Sequence, residues 1–251
     1  FQHSNIDRPP LGDVANAFLL MLSANPNHHF VLKYIYNENL TNYIDRDQRK
    51  TFKAIKPKLR QSKRVLVTRR YEPNAITYQE KNNIVGRVLN MYDYFQGTID
   101  IPKKDLHIRL SDVFDLKQVK IVGINPNTSH VFYNGTQIAE VSIAPLSVQV
   151  IGAITWLNPV GDPISQDIYD RRGFKTSTQY YHLNGNIGHQ IIYDKDGHPK
   201  LEMIMMAHNG EEQLTSIKLL NYDGADYLFA NEDELWVFFK SELESKETET
   251  K

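Results

Sequence analysis

Ten basic side chains fall between Arg49 and Arg70 with no acidic residue among them: Arg49, Lys50, Lys53, Lys56, Lys58, Arg60, Lys63, Arg64, Arg69 and Arg70. Guanidinium and ammonium groups are strong donors to phosphate, and arginine can grip two phosphate oxygens at once. The strip brackets Val65-Leu-Val-Thr68, a short apolar β-rich run of the kind that parallel sheets bury. Basic residues beside a strand end make a seat for phosphate groups, or else a solvated helix face and loop. Lys56, Lys58, Arg60, Lys63, Arg64, Arg69 and Arg70 are the candidates for the first role. Nucleic acid fits less well, because no aromatic residue on which a base could stack interleaves with the strip between Lys53 and Arg70. The acidic counterweight lies mainly in the last third and includes Glu232, Asp233, Glu234, Glu242 and Glu244.

Other chemistry is harder to place. The sequence holds no GxGxxG, no P-loop, no HExxH, no GxSxG and no cysteine at all, which removes disulfides, thiolate metal sites and Cys nucleophiles together. His28 and His29 are adjacent, so their side chains diverge on any regular element. His182, His189, His198 and His208 stand in or beside turn signals, where exposure accounts for them. No metal, cofactor or catalytic residue is expected.

The 251 residues are 41% hydrophobic and 24% charged, so they can bury a core and are not a disordered chain. A net charge of −1 predicts no global attraction to nucleic acid or to an anionic membrane. The longest apolar stretch near the start, Ala15 to Leu22, is far shorter than the roughly 20 residues a spanning helix needs. The expectation is a soluble cytoplasmic protein, with fragment and complete gene product both open, and the sequons at Asn39, Asn127 and Asn134 carry little weight.

The elements that must position the basic strip read as two textures. Over the first hundred residues helix and strand alternate. A helix capped by Asp13 runs to Leu22, a β run spans Phe30–Tyr36, and a helix covers Asp45–Ile55 before Pro57. The Arg64–Thr68 strand, a helix over Ile76–Ile84 and the Gly86–Asn90 strand follow, an order that suggests a parallel sheet. After Pro102 strands succeed one another at Leu106–Leu110, Gln118–Gly123, His130–Tyr133, Gln137–Ile143 and Ser147–Trp156. Turn signals then recur at Arg172-Gly173, Asn184-Gly185, Asp196-Gly197, Asn209-Gly210 and Asp223-Gly224, their glycines 12, 12, 13 and 14 residues apart. One strand plus one turn takes about a dozen residues, so the spacing predicts an antiparallel meander. Asn231, with Glu234 in the capping-box position, starts a last helix whose apolar face is Leu235, Phe238, Phe239 and Leu243, with Trp236 beside it. Glu244 to Lys251 are expected to fray. The fold class is α+β: a partial Rossmann-like α/β region over 1–103, a β-meander over 104–230, and a closing helix with a charged tail over 231–251.

Val67-Thr-Arg-Arg-Tyr-Glu-Pro-Asn74 followed by Val88-Leu-Asn-Met-Tyr-Asp-Tyr-Phe-Gln96 resembles the N-terminal region of bacterial retaining glycosyltransferases of the teichoic-acid, or poly(glycerol-phosphate), α-glucosyltransferase type. Tyr169-Asp-Arg-Arg-Gly-Phe174, Tyr193-Asp-Lys-Asp-Gly197 and Glu234-Leu-Trp-Val-Phe-Phe239 are similar to the antiparallel β-sheet domain inserted into that half. The same layout occurs in glycosyltransferases of serine-rich adhesins and in a non-catalytic accessory secretion protein. The resemblance covers about residues 60 to 243. It implies a GT-B architecture in which the N-terminal domain faces the acceptor and a second Rossmann-like domain binds the nucleotide sugar. The family's Gly-rich acceptor loop has Thr41-Asn-Tyr-Ile-Asp45 as its nearest counterpart, without the glycine. The donor-site spacing E-x7-E occurs at Glu72/Glu80 and Glu234/Glu242. About one such pair is expected by chance, and both are read as coincidences.

Two functions stay open on this reading. The chain is the acceptor-side portion of a glycosyltransferase, inactive alone, whose basic strip meets an anionic polyol-phosphate polymer or whose acceptor is a serine-rich protein. Alternatively it is a non-catalytic partner that docks a catalytic glycosyltransferase subunit or secretion component, or self-associates, through an edge of its sheet. A self-sufficient small enzyme finds no nameable acid, base or nucleophile.

Overall fold

The computed structural model describes residues 34–37, 65–73, 87–101, 108–144, 147, 150–208 and 211–249, all within one unit, Tyr34–Lys251. The helices expected over Asp13–Leu22, Asp45–Ile55 and Ile76–Ile84 lie outside the described residues, as do Asn209-Gly210 and His28-His29.

Three short strands, β1 (Tyr34–Asn37), β2 (Val65–Thr68) and β3 (Arg87–Asn90), run parallel in the order β1-β2-β3. Val65, Val67 and Thr68 of β2 are all buried, as befits a strand covered on both faces. β3 leads directly into α1 (Met91–Gln96). Asn90 makes that junction: its side-chain oxygen accepts from the backbone N–H of Tyr92 at 2.9 Å and of Asp93 at 3.3 Å. Gly97 ends the helix at φ 69°, a left-handed conformation that glycine adopts without penalty.

The strand expected over Leu106–Leu110 is corrected at its described end. Leu110 opens a helical turn, α2 (Leu110–Val113), because the carboxylate of Asp112 accepts from the N–H of Arg109 at 2.8 Å while the Asp112 N–H donates back to the Arg109 carbonyl.

Ten strands then form one antiparallel sheet in which each pairs with the next in the chain. They are β4 (Val119–Asn125), β5 (Thr128–Tyr133), β6 (Thr136–Ile143), β7 (Ile151–Leu157), β8 (Pro163–Asp170), β9 (Phe174–Tyr181), β10 (Ile187–Tyr193), β11 (Pro199–His208), β12 (Glu211–Tyr222) and β13 (Ala225–Phe229). β7 starts at Ile151 and not at Ser147, whose hydroxyl instead closes a turn onto the Ala144 carbonyl at 2.7 Å. Gly173, Gly185, Gly197 and Gly224 all have φ between 83° and 90°. At Asp223-Gly224 both residues are left-handed, as a two-residue hairpin turn requires. Asn134-Gly135 does the same between β5 and β6, a turn the twelve-residue spacing did not reveal.

Register shows how a single sheet serves two cores. One row across the strands reads Phe229, Ile217, Met203, Gln190, Gln179, Gln166, Thr155, Glu140, His130. It is apolar on β13–β11 and polar from β10 onward. The neighbouring row points to the other face and reads Leu228, Lys218, Glu202, Ile191, Thr178, Asp167, Ile154, Val141. Its apolar and charged ends are reversed. Accordingly β10–β13 bury one face against the parallel layer, α1 and the last helix, where Val67, Phe95, Ile217, Leu219, Leu235 and Phe239 meet. Toward β4, the opposite face packs on Phe114 and the α2 segment, with Val131, Val141 and Ile154 at its centre.

The last helix, α3 (Glu232–Glu249), is capped as expected at Asn231, whose side chain accepts from the Glu234 N–H at 3.0 Å. Glu234 reaches one residue further back than a standard capping box and takes the Ala230 N–H at 2.8 Å. Leu235, Phe239 and Leu243 are buried and Phe238 packs at the edge of the same core. The helix continues through Glu249, past the Glu244 at which the charged tail begins.

Candidate functional site

β2 delivers Arg69, Arg70 and Tyr71 to the carboxyl edge of the parallel sheet, and Asn90 at the end of β3 fixes them there. Its side-chain amide donates to the Thr68 hydroxyl at 2.9 Å and to the Arg70 carbonyl at 2.7 Å, while its oxygen caps α1. One buried Asn thus ties the backbone of the basic pair to the start of a helix. Tyr71 ties it to the meander: its hydroxyl lies 2.9 Å from Ser177 Oγ and 3.2 Å from Thr176 Oγ1, and its ring meets Tyr92 edge-on at 5.5 Å. Burial holds this phenol far above its ordinary value, against the effect of its hydrogen-bonded neighbours Ser177 and Thr176, so it is neutral.

The two arginines meet the first turn of α3. Arg69, only 14% exposed, places Nε 3.3 Å from Glu232 and Nη2 2.6 Å from Asp233. Arg70 is 58% exposed and lies 3.9 Å from Glu232. Tyr92 completes the arrangement by donating its hydroxyl to Glu232 at 2.7 Å. Its own ionisation is suppressed by burial and by the Glu232 charge. The site is therefore a basic pair with a built-in set of counter-charges, able to bind an oxyanion through guanidinium groups. Of the candidates read from the sequence, Arg69 and Arg70 stand together here. Lys56, Lys58, Arg60, Lys63 and Arg64 lie outside the described residues.

Sequence reasoning missed a second charged cluster. Arg172, in the β8–β9 turn, is 5% exposed. It donates to both oxygens of Asp170 at 2.9 and 2.8 Å, to Asp93 at 2.9 Å and to the Thr98 carbonyl at 2.6 Å, and it stands over the Phe174 ring at 5.3 Å. Burial works against its charge, but the Asp170 hydrogen bonds and the charges of Asp93 and Asp170 outweigh that and keep it firmly protonated. This clasp locks a meander hairpin onto the end of α1, and the neighbouring Gln96 helps by donating to the Tyr193 carbonyl at 2.6 Å. The strand after that turn, β9, then supplies Thr176 and Ser177 to the Tyr71 hydroxyl.

Asp194, Asp196 and His198 bring three ligand atoms within 4.8 Å of one another at the β10–β11 turn. Hydrogen bonding within the turn accounts for them. Asp194 accepts the N–H groups of Asp196 and His198, both at 2.9 Å, and His198 Nδ1 at 3.2 Å, while Lys195 takes Asp196. The glutamates with donor-like spacing also serve the fold: Glu234 caps α3, and Glu242 accepts the Tyr222 hydroxyl at 2.6 Å. Glu80 lies outside the described residues.

No protein-family model matches the chain, and no curated protein does. Solved structures do match. Accessory secretory protein 1, 2 and 3 of Streptococcus pneumoniae gives a TM-score of 0.59 at 18% identity, over 78% of this chain and 37% of that one. The GtfA/B complex bound to UDP and GlcNAc gives 0.60 at 15%, over 84% and 42%. TarM, from S. aureus, gives 0.52 at 16%, over 85% and 43%. At these identities the likeness is one of fold, and the fold is the one that the sequence motifs implied. The chain spans about 37–43% of the length of these solved chains. Among the described residues, no helix is long and apolar enough to cross a membrane.

Proposed function

We propose that this chain is the acceptor-side portion of a glycosyltransferase, that its basic edge receives an anionic polyol-phosphate polymer, and that it does not catalyse alone. The observation that carries this reading is position. Arg69 and Arg70 leave the carboxyl end of a parallel strand, the edge at which open α/β sheets receive ligands. The fold likeness to solved glycosyltransferases supports the same reading, and the sequence motifs point to the type with phosphate-rich acceptors. In this arrangement the basic edge after β2 faces the acceptor, and the meander and α3 brace it through Tyr71 and Arg69. Lys56, Lys58, Arg60, Lys63 and Arg64 remain sequence candidates for the same anionic acceptor.

Binding of a synthetic glycerol-phosphate oligomer to the purified chain tests this directly. Arg70→Ala is the informative variant, because Arg70 is exposed while Arg69 holds α3. Loss of one exposed charge contact of about 1 kcal/mol lowers affinity about fivefold. If Arg70→Ala binds as well as the parent, the basic edge is not the seat. A serine-rich peptide run in parallel identifies the other acceptor class.

A second reading is favoured by the company of the fold: two of the matched structures are a complex and a set of accessory secretory proteins. Here the chain is a non-catalytic module that binds a glycosyltransferase through the β4 or β13 edge of its sheet. Co-purification with a catalytic subunit, together with no oligomer binding, would select it.

A further inference from the structure

Glu232 and Asp233 are neighbours on the first turn of α3, yet they stand in different relations to the basic pair. Glu232 is 17% exposed and is held from three sides, by Tyr92 at 2.7 Å, Arg69 at 3.3 Å and Arg70 at 3.9 Å. Asp233 is 79% exposed and reaches Arg69 Nη2 at 2.6 Å from the solvent side. A carboxylate this exposed is held weakly, since solvent and salt screen the pair and the side chain loses freedom on forming it. Removing Asp233 from Arg69 would leave the half-buried Glu232 still paired. The inner carboxylate belongs to the fold; the outer one can leave without disturbing it.

We propose that Asp233 is a displaceable internal counter-ion that occupies the place of an acceptor phosphate at Arg69, so that the start of α3 regulates access to the basic edge. The inference rests on the acceptor reading above and adds a selection rule to it. A single phosphate monoanion exchanges one negative charge for another at Arg69 and gains little there. A chain of phosphates can displace Asp233 with one group while a neighbouring group meets the exposed Arg70, so polyvalent acceptors pass the carboxylate and isolated phosphates do not. No bond is made or broken in this exchange.

The test compares the parent chain, Asp233→Asn, Glu232→Gln and Arg70→Ala, titrated with a glycerol-phosphate oligomer and with inorganic phosphate, and melted without ligand. Asp233→Asn should bind the oligomer about threefold to tenfold more tightly, gain measurable affinity for inorganic phosphate, and melt close to the parent temperature. Glu232→Gln should instead lower the melting temperature, because the half-buried guanidinium of Arg69 and the buried Tyr92 both lose a charged partner. If Asp233→Asn and parent bind the oligomer equally while Arg70→Ala weakens both, the carboxylate does not regulate the edge and only this inference falls. If neither parent nor Asp233→Asn binds the oligomer, the acceptor reading itself is overturned and this inference falls with it.

Discussion

Arg172 makes five close polar contacts within a turn of the chain that also contains Arg171, and nothing in the local sequence tells which of the two arginines turns inward. The buried one is decided by distant partners, Asp93 and Thr98 on the α1 side. Truncating it leaves Asp170 buried with no cation beside it. Arg172→Ala is therefore expected to cost about 3 kcal/mol or more, read from urea unfolding, whereas a swap at an exposed hairpin residue costs a few tenths. A loss below about 1 kcal/mol would show that the clasp is not what seats the meander. The basic pair was legible because uninterrupted cations stand out in one dimension. Its partners were visible only as an acidic surplus far along the chain, since pairing Arg69 with Glu232 and Asp233 is a product of topology. Tyr71 and Asn90 were quoted in a family motif without a role, and their buried hydrogen bonds supply one.

The hairpins were the most legible elements, because glycine at positive φ leaves a regular mark in the sequence at Gly173, Gly185, Gly197 and Gly224. Strand glycines leave no such mark, and two of them differ in what surrounds them. A Cβ at Gly152 would come within 2.7 Å of the Ala144 Cα and 2.8 Å of its nitrogen, both backbone atoms of the adjoining chain. A Cβ at Gly188 would meet the His182 ring at 2.5 Å, a side chain on an exposed turn that can swing away. Gly152→Ala should thus destabilise by about 1–3 kcal/mol, and Gly188→Ala clearly less, in matched thermal melts. Equal losses would mean that β6 and β7 can separate locally without penalty. At α3 the cap was readable from Asn231 and Glu234 alone, and Asn231→Ala is expected to cost about 1 kcal/mol. The strand expected at Leu110 failed because a capping box between Arg109 and Asp112, not hydrophobic alternation, governs those residues.

At the scale of the molecule, the ten-stranded sheet exchanges its covered face from one end to the other, and the core at the β13 end is unusually rich in phenols. Tyr71, Tyr92 and Tyr222 are all pushed far above their ordinary value of 10.0, mainly by burial, and Tyr169 is pushed up to about 12 for the same reason. A raised folded-state value means that the native protein holds the proton more tightly than the unfolded chain. The stability this contributes is complete below pH 10 and is lost as the pH rises above it. The phenols should ionise together with the loss of near-ultraviolet dichroism, in one cooperative step. Ionisation of Tyr71 and Tyr92 themselves near pH 10 with dichroism intact, read as the difference from Tyr71→Phe and Tyr92→Phe, would contradict the packing described there. At the acid end, burial of Asp194 is outweighed by the backbone N–H groups of His198 and Asp196, which hold its carboxyl below the usual 3.8. That turn is therefore stable above this value and loosens only as the pH falls beneath it.

In the proposed function, the carboxyl edge of the parallel sheet is an anion seat for a phosphate-rich acceptor. The most direct measurement is the affinity of the chain for a glycerol-phosphate oligomer across a series of salt concentrations, for the parent and for Arg70→Ala. Such a seat predicts binding that weakens steadily as salt rises, with a shallower dependence once Arg70 is removed, because fewer counter-ions exchange at the edge. Binding that is absent, or that ignores both salt and Arg70, would contradict it.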